Sequence, residues 1–143
     1  GKKPNGTTKD TVANLIEGAY CVVHIAHAQQ CDVVTATAAS LHYGESEIKA
    51  NQIKLIDHAD WPLQRIEGCP IAYLCKVHST KQISNAPQQI IFVEAIELYV
   101  DDNAVDQSNN RIEIDALKIN PLARLGASQY ANLGEVFTKS RPA

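Results

Sequence analysis

The chain has 143 residues, 45% of them hydrophobic and 20% charged, with a formal net charge of −3. That is one domain's worth of chain, with enough apolar residues for one core and too many for a disordered segment. No basic block marks a nucleic-acid surface, and no apolar run is long enough to span a bilayer.

Residues 1–8 are polar, with Pro4, Asn5 and Gly6 marking a turn. Asp10 is a good helix N-cap, and Val12, Leu15, Ile16 and Ala19 recur at helical spacing. This predicts a short amphipathic helix over 11–17, stopped by Gly18. YCVVHIA, residues 20–26, reads as a strand. His24 falls on that strand and His27 in the following loop, so joint metal binding is not expected. The run 29–40 is Ala-rich and helical at first, weakened by its threonines and valines. His42–Glu45 is a turn, and Ser46 starts a helical turn through Ala50.

Residues 52–56 suggest a short strand, and 57–68 a loop holding the single tryptophan, Trp61. Residues 70–78 alternate, with Ile71, Tyr73, Cys75 and Val77 on one face and Ala72, Leu74, Lys76 and His78 on the other. A hairpin connection over 80–87 leads to the longest strand, 89–100. There Ile90, Phe92, Ile96, Leu98 and Val100 share a face interrupted by Glu94. A polar turn at 101–110 precedes a short strand at 111–114, and Asp115 caps a helical turn over 116–119. The pattern predicts one mainly β domain over 1–143, an antiparallel barrel or sandwich with short helices.

The closing stretch INPLARLGASQYANLGEVF, residues 119–137, is the least generic. Pro121 blocks a continuing helix, and Gly126 suits a turn at positive φ. Arg124, that turn and Tyr130 suit either a polar ligand site or the closing turn of a β-domain, with Glu135–Phe137 as a β-like ending. Lys9-Asp10-Thr11 offers two readings as well. Backbone N–H groups, a hydroxyl and a cation at a helix start can hold an anion, or they form an ordinary capped helix beside a surface lysine. No phosphate-loop, dinucleotide-fold, hydrolase or zinc-protease motif is present.

There is no methionine, so Gly1 is not expected to be a natural translation start. The N-terminus has cations but no apolar stretch behind them, which is not a signal peptide. The expectation is a cytoplasmic protein whose four cysteines (Cys21, Cys31, Cys69 and Cys75) are reduced. None forms a Cys-x-x-Cys pair, and no structural zinc is expected.

Four stretches, in order, resemble the flavin reductase-like family of FMN-binding proteins. They are KDTVANLIEGAYCVVHIA from Lys9, TAASLHYGESEIKAN from Thr37, FVEAIELYVDD from Phe92, and PLARLGA from Pro121 with Tyr130 shortly after. Ala127 stands where the family's second glycine would be. The resemblance implies an antiparallel, Greek-key FMN-binding split barrel, incomplete here because family members begin earlier with further strands. On that view residues 1–143 are the C-terminal two-thirds of the barrel. It also implies a homodimer with flavin near the subunit interface and no nucleic-acid or membrane partner. Lys9, Asp10 and Thr11 would lie at the FMN phosphate and ribityl chain, Lys49 would approach flavin from the partner subunit, and Tyr130 would lie near the isoalloxazine. The implied activity is reduction of flavin by NADH or NADPH, with no protein nucleophile or acid required. Two other readings stand beside it: an FMN-binding electron carrier or sensor without nicotinamide turnover, and a cofactor-free dimerising fragment.

Overall fold

The computed structural model describes residues 1–108 and 110–142. It is mainly β with short helices. The central sheet is antiparallel in the order β1 (Tyr20–Ile25), β4 (Ile71–Gln82), β5 (Gln89–Val100). Three two-stranded ladders surround it: β2 (Leu55–Ile56) with β3 (Arg65–Ile66), β6 (Val105–Asp106) with β7 (Glu113–Ile114), and β8 (Ala123–Gly126) with β9 (Gln129–Ala131). The helices are α1 (Asp10–Asn14), α2 (Cys31–Ala36), α3 (Glu47–Ala50) and α4 (Ala116–Ile119). Among the described residues no helix is long and apolar enough to cross a membrane.

The core gathers on β4, the central strand. Ala72, Leu74, Cys75 and Val77 are buried, and Trp61 packs on Ala72 and Leu74 with Val22 and Tyr99 alongside. Burial changes sides along this strand: Ala72 and Leu74 are buried on one face, Cys75 and Val77 on the other. The register with β1 runs unbroken through Leu74 and Cys75, so β4 keeps its alternation, and the shift against β5 leaves Ile96 as the extra residue. β4 also runs to Gln82, past the expected hairpin start, because Ser79–Gln82 pair with Gln89–Phe92.

β5 has the expected bounds, but its apolar face is not buried. Ile90, Phe92, Val93, Ile96 and Leu98 are all exposed, and the strand is an edge. Elsewhere the helices are shorter than their patterns. α1 ends at Asn14, and Ile16 is 67% exposed, so the outer part of the periodic run has nothing to pack on. The run 29–40 yields a 3-10 turn, Ala28–Gln30, and then α2, which stops at Ala36. There Thr35 and Thr37 turn their hydroxyls back onto the Cys31 and Val34 carbonyls. The β-like ending at Glu135–Phe137 forms no strand, and Phe137 is exposed. β3 lies inside the expected loop 57–68, where Arg65–Ile66 find Leu55–Ile56 as partner.

Candidate site around Lys9, Asp10 and Thr11

The N-terminal loop, α1 and the segment after α2 converge on one cavity of about 200 Å³. Lys9, Asp10 and Thr11 line it, facing Thr37–Leu41, with Lys3 and Glu47 at its margins. Asp10 also borders adjoining cavities of about 530 Å³, with His42 and Tyr43, and about 330 Å³, with Asn14 and Glu45. Asp10 therefore lines all three spaces.

Asp10 is not the helix cap that the spacing suggested. Lys9 occupies the cap position with extended backbone, and no side chain caps the helix. Asp10 sits in the first turn because its Oδ2 is held by Lys3 Nζ at 2.9 Å. The same ammonium donates to the Leu41 carbonyl at 3.0 Å, closing the loop onto the segment opposite. Asp10 Oδ1 is buried and has no hydrogen-bond partner among the described residues. The Asp10 and Thr11 amides lie ahead of the first intrahelical bonds, which run from Val12 and Ala13 to the Lys9 carbonyl. The cavity thus offers one paired and one exposed ammonium, two amides, a hydroxyl and a vacant carboxylate acceptor. Lys3 is a site residue that sequence reasoning missed; the only signal was a second cation next to Pro4.

Lys49 and Tyr130 are not brought into this cavity. Lys49 is exposed on the last turn of α3, two residues after Glu47. Tyr130 is half-buried on β9, and its hydroxyl accepts from Arg124 Nη1 at 3.0 Å and donates to Thr35 Oγ1 at 3.1 Å. Arg124 also donates to the Ala127 carbonyl at 2.8 Å. Gly126 has φ 124° and Ala127 φ 45°, so the turn needs positive φ at both positions and only one is glycine. Arg124 and Tyr130 thus form the closing turn; α2 links them to the cavity, since Thr35 precedes Thr37 by two residues. His27 accepts from the Gln29 amide at 3.1 Å and caps the 3-10 turn, while His24 accepts from the Ile66 amide at 2.9 Å. The two histidines share no site. No group of ligating side chains suited to a metal occurs among the described residues.

A second polar cluster lies over the core. Arg65 stacks on the Tyr99 ring with its guanidinium carbon 3.7 Å from the centroid. His58 meets Trp61 and Tyr99 edge-on, and Trp61 Nε1 donates to Glu97 Oε2 at 2.8 Å. Burial, reinforced by Arg65, lowers the His24 pKa from its usual 6.5.

With this geometry, comparison places the chain in a class. Its backbone superposes on nitrilotriacetate monooxygenase component B from Bacillus cereus with a TM-score of 0.80 and 25% identity, over 96% of this chain and 68% of that one. It superposes on a Shewanella frigidimarina NCIMB 400 protein described as a flavin reductase with a split barrel domain, with a TM-score of 0.78 and 20% identity, over 93% and 65%. The fold is thus that of the split-barrel flavin reductases. Residues 5–122 match the flavin reductase like domain, and the chain belongs to that family. It is also 27% identical to the uncharacterized protein YwrF of Bacillus subtilis (strain 168), over 98% of this chain and 69% of that protein. The chain spans about two thirds of the length of these relatives.

Proposed function

We propose that the chain binds FMN and takes part in flavin reduction by NADH or NADPH. The observation that carries the reading is the cavity at Lys9–Thr11 with its unpartnered Asp10 Oδ1. These residues fit a phosphorylated polyol. A phosphate suits the Lys9 ammonium, the Thr11 hydroxyl and the two vacant amides. A carboxylate repels phosphate but accepts from a hydroxyl, so Asp10 Oδ1 suits the ribityl chain, and Glu47, which lines the same cavity, is a second such acceptor. Lys3 holds the other oxygen, Oδ2, at 2.9 Å. The larger adjoining spaces, bordered by Tyr43, leave room for a ring system. Bound FMN would supply the two-electron chemistry, accepting hydride from the nicotinamide. The protein's part is to hold, orient and shield.

The exposed side chains of β5 support a homodimer in this reading. Exposed apolar patches on an edge strand need cover, and we infer that a second copy supplies it. That copy would also bring its Lys49 toward the flavin. Sedimentation equilibrium tests the assembly: a dimer is expected, and a monomer at micromolar concentration refutes it.

The reductase reading is tested by adding FMN and then NADH or NADPH under anaerobic conditions and following the flavin absorbance. Bleaching faster than in a protein-free control is expected with one donor or both. Bound FMN that neither donor bleaches overturns the reductase reading and leaves an electron carrier or sensor. Failure to bind FMN leaves the cofactor-free fragment.

A further inference from the structure

Cys21 and Cys75 face each other directly across the β1–β4 ladder, paired in register between Val22↔Leu74 and Tyr20↔Lys76. Opposed residues of an antiparallel pair have Cα atoms about 4.5–5.5 Å apart, inside the roughly 4.4–6.8 Å that a disulfide spans. Both thiols are free, and the Cys75 thiol donates to the Tyr73 carbonyl at 3.6 Å. Cys75 follows Leu74 in an unbroken register with β1 and shares its buried face with Val77. Cys21 is half-buried and reachable, whereas Cys75 is 2% exposed. The other two cysteines are placed differently. Cys69 donates to Gln30 Oε1 at 3.5 Å, and Cys31 starts α2.

We propose that Cys21 and Cys75 are a redox-responsive pair that a peroxide converts to a cross-strand disulfide. The Cys21 sulfur attacks one peroxide oxygen, the O–O bond breaks, and water leaves with Cys21 as the sulfenic acid. The Cys75 sulfur then attacks the Cys21 sulfur, the S–O bond breaks, and a second water leaves. Two thiols lose two electrons in all, and the peroxide gains them. The bond clips the first sheet strand to the central one, just beyond the helix that lines the candidate site.

Burial, the leading cause, raises both thiols above their ordinary 9.0, so the thiolate is scarce at neutral pH and the rate climbs with pH.

The test uses the C31S/C69S variant, with C21S/C31S/C69S as its control. Each is treated with hydrogen peroxide at pH 8.5, quenched with an alkylating agent under denaturing conditions and mapped by mass spectrometry. The expected result is a Cys21–Cys75 linked peptide, with loss of two hydrogen masses from the intact chain, reversed by dithiothreitol. The treated variant should also unfold at a temperature higher by about 5 °C or more, an increment absent from the control. Two alkylated thiols after treatment overturn the proposal, as does oxidation of Cys21 to sulfinic acid without a link to Cys75. Neither outcome bears on FMN binding.

Discussion

Lys3 Nζ lies 2.9 Å from Asp10 Oδ2, and both side chains are largely shielded, 12% and 23% exposed. This ion pair ties the N-terminal loop to α1, and its third contact, the Leu41 carbonyl, ties both to the segment facing them. Removing one partner leaves the other charge half-buried, which costs more than the pair itself contributes.

Lys3→Met is therefore expected to lower stability by about 1–3 kcal/mol in urea unfolding. The double variant Lys3→Met/Asp10→Asn should recover part of that loss, because no charge is left unpaired. A Lys3→Met chain as stable as the parent would show that the pair is not formed in solution.

Trp61 is the single tryptophan and its indole N–H depends on Glu97. Glu97→Leu should cost about 1–3 kcal/mol, the penalty of an unsatisfied buried donor, and shift the tryptophan emission. Glu97→Gln keeps an acceptor and should cost less. Equal losses in the two variants would assign the effect to packing rather than to the hydrogen bond.

His24 gives a pH dependence with a definite sign. Its Nε2 must stay unprotonated to accept from Ile66, and burial with Arg65 nearby depresses its pKa below 6.5. Above pH 6.5 both folded and unfolded chains carry neutral imidazole. As pH falls below 6.5 the unfolded chain takes up a proton first, so stability is lost until the folded pKa is passed. The thermal midpoint should fall across that window. His24→Gln, which retains an acceptor without titrating, should flatten this part of the profile; an unchanged slope would place its origin elsewhere.

The sheet was legible because β1, β4 and β5 are bounded by turn residues and rich in Val, Ile and Tyr. What escaped the sequence depended on partners distant along the chain. Burial passes from one face of β4 to the other between Leu74 and Cys75, and the extra residue opposite them, Ile96, is one that no residue type announces. Asp10 has the chemistry of a cap, yet an ammonium seven residues earlier claims its carboxylate. Residues 135–137 have strand composition but no strand to pair with. Lys9, Asp10 and Thr11 were found together because they are consecutive at a helix start, whereas Lys3 joined them only through folding. Resemblance alone puts Tyr130 near the isoalloxazine, and its hydroxyl contacts to Arg124 and Thr35 were not legible in the sequence.

The central claim is that the Lys9–Thr11 cavity holds the phosphate end of FMN. Fluorescence titration of the chain with FMN and with riboflavin, which has the same ring and ribityl chain but no phosphate, tests it most directly. FMN is expected to bind at least about tenfold more tightly, the worth of one charge-assisted contact. Lys9→Ala together with Thr11→Val should shrink that difference while leaving riboflavin binding unchanged. Equal affinity for the two flavins, or a preference that survives both substitutions, would contradict it.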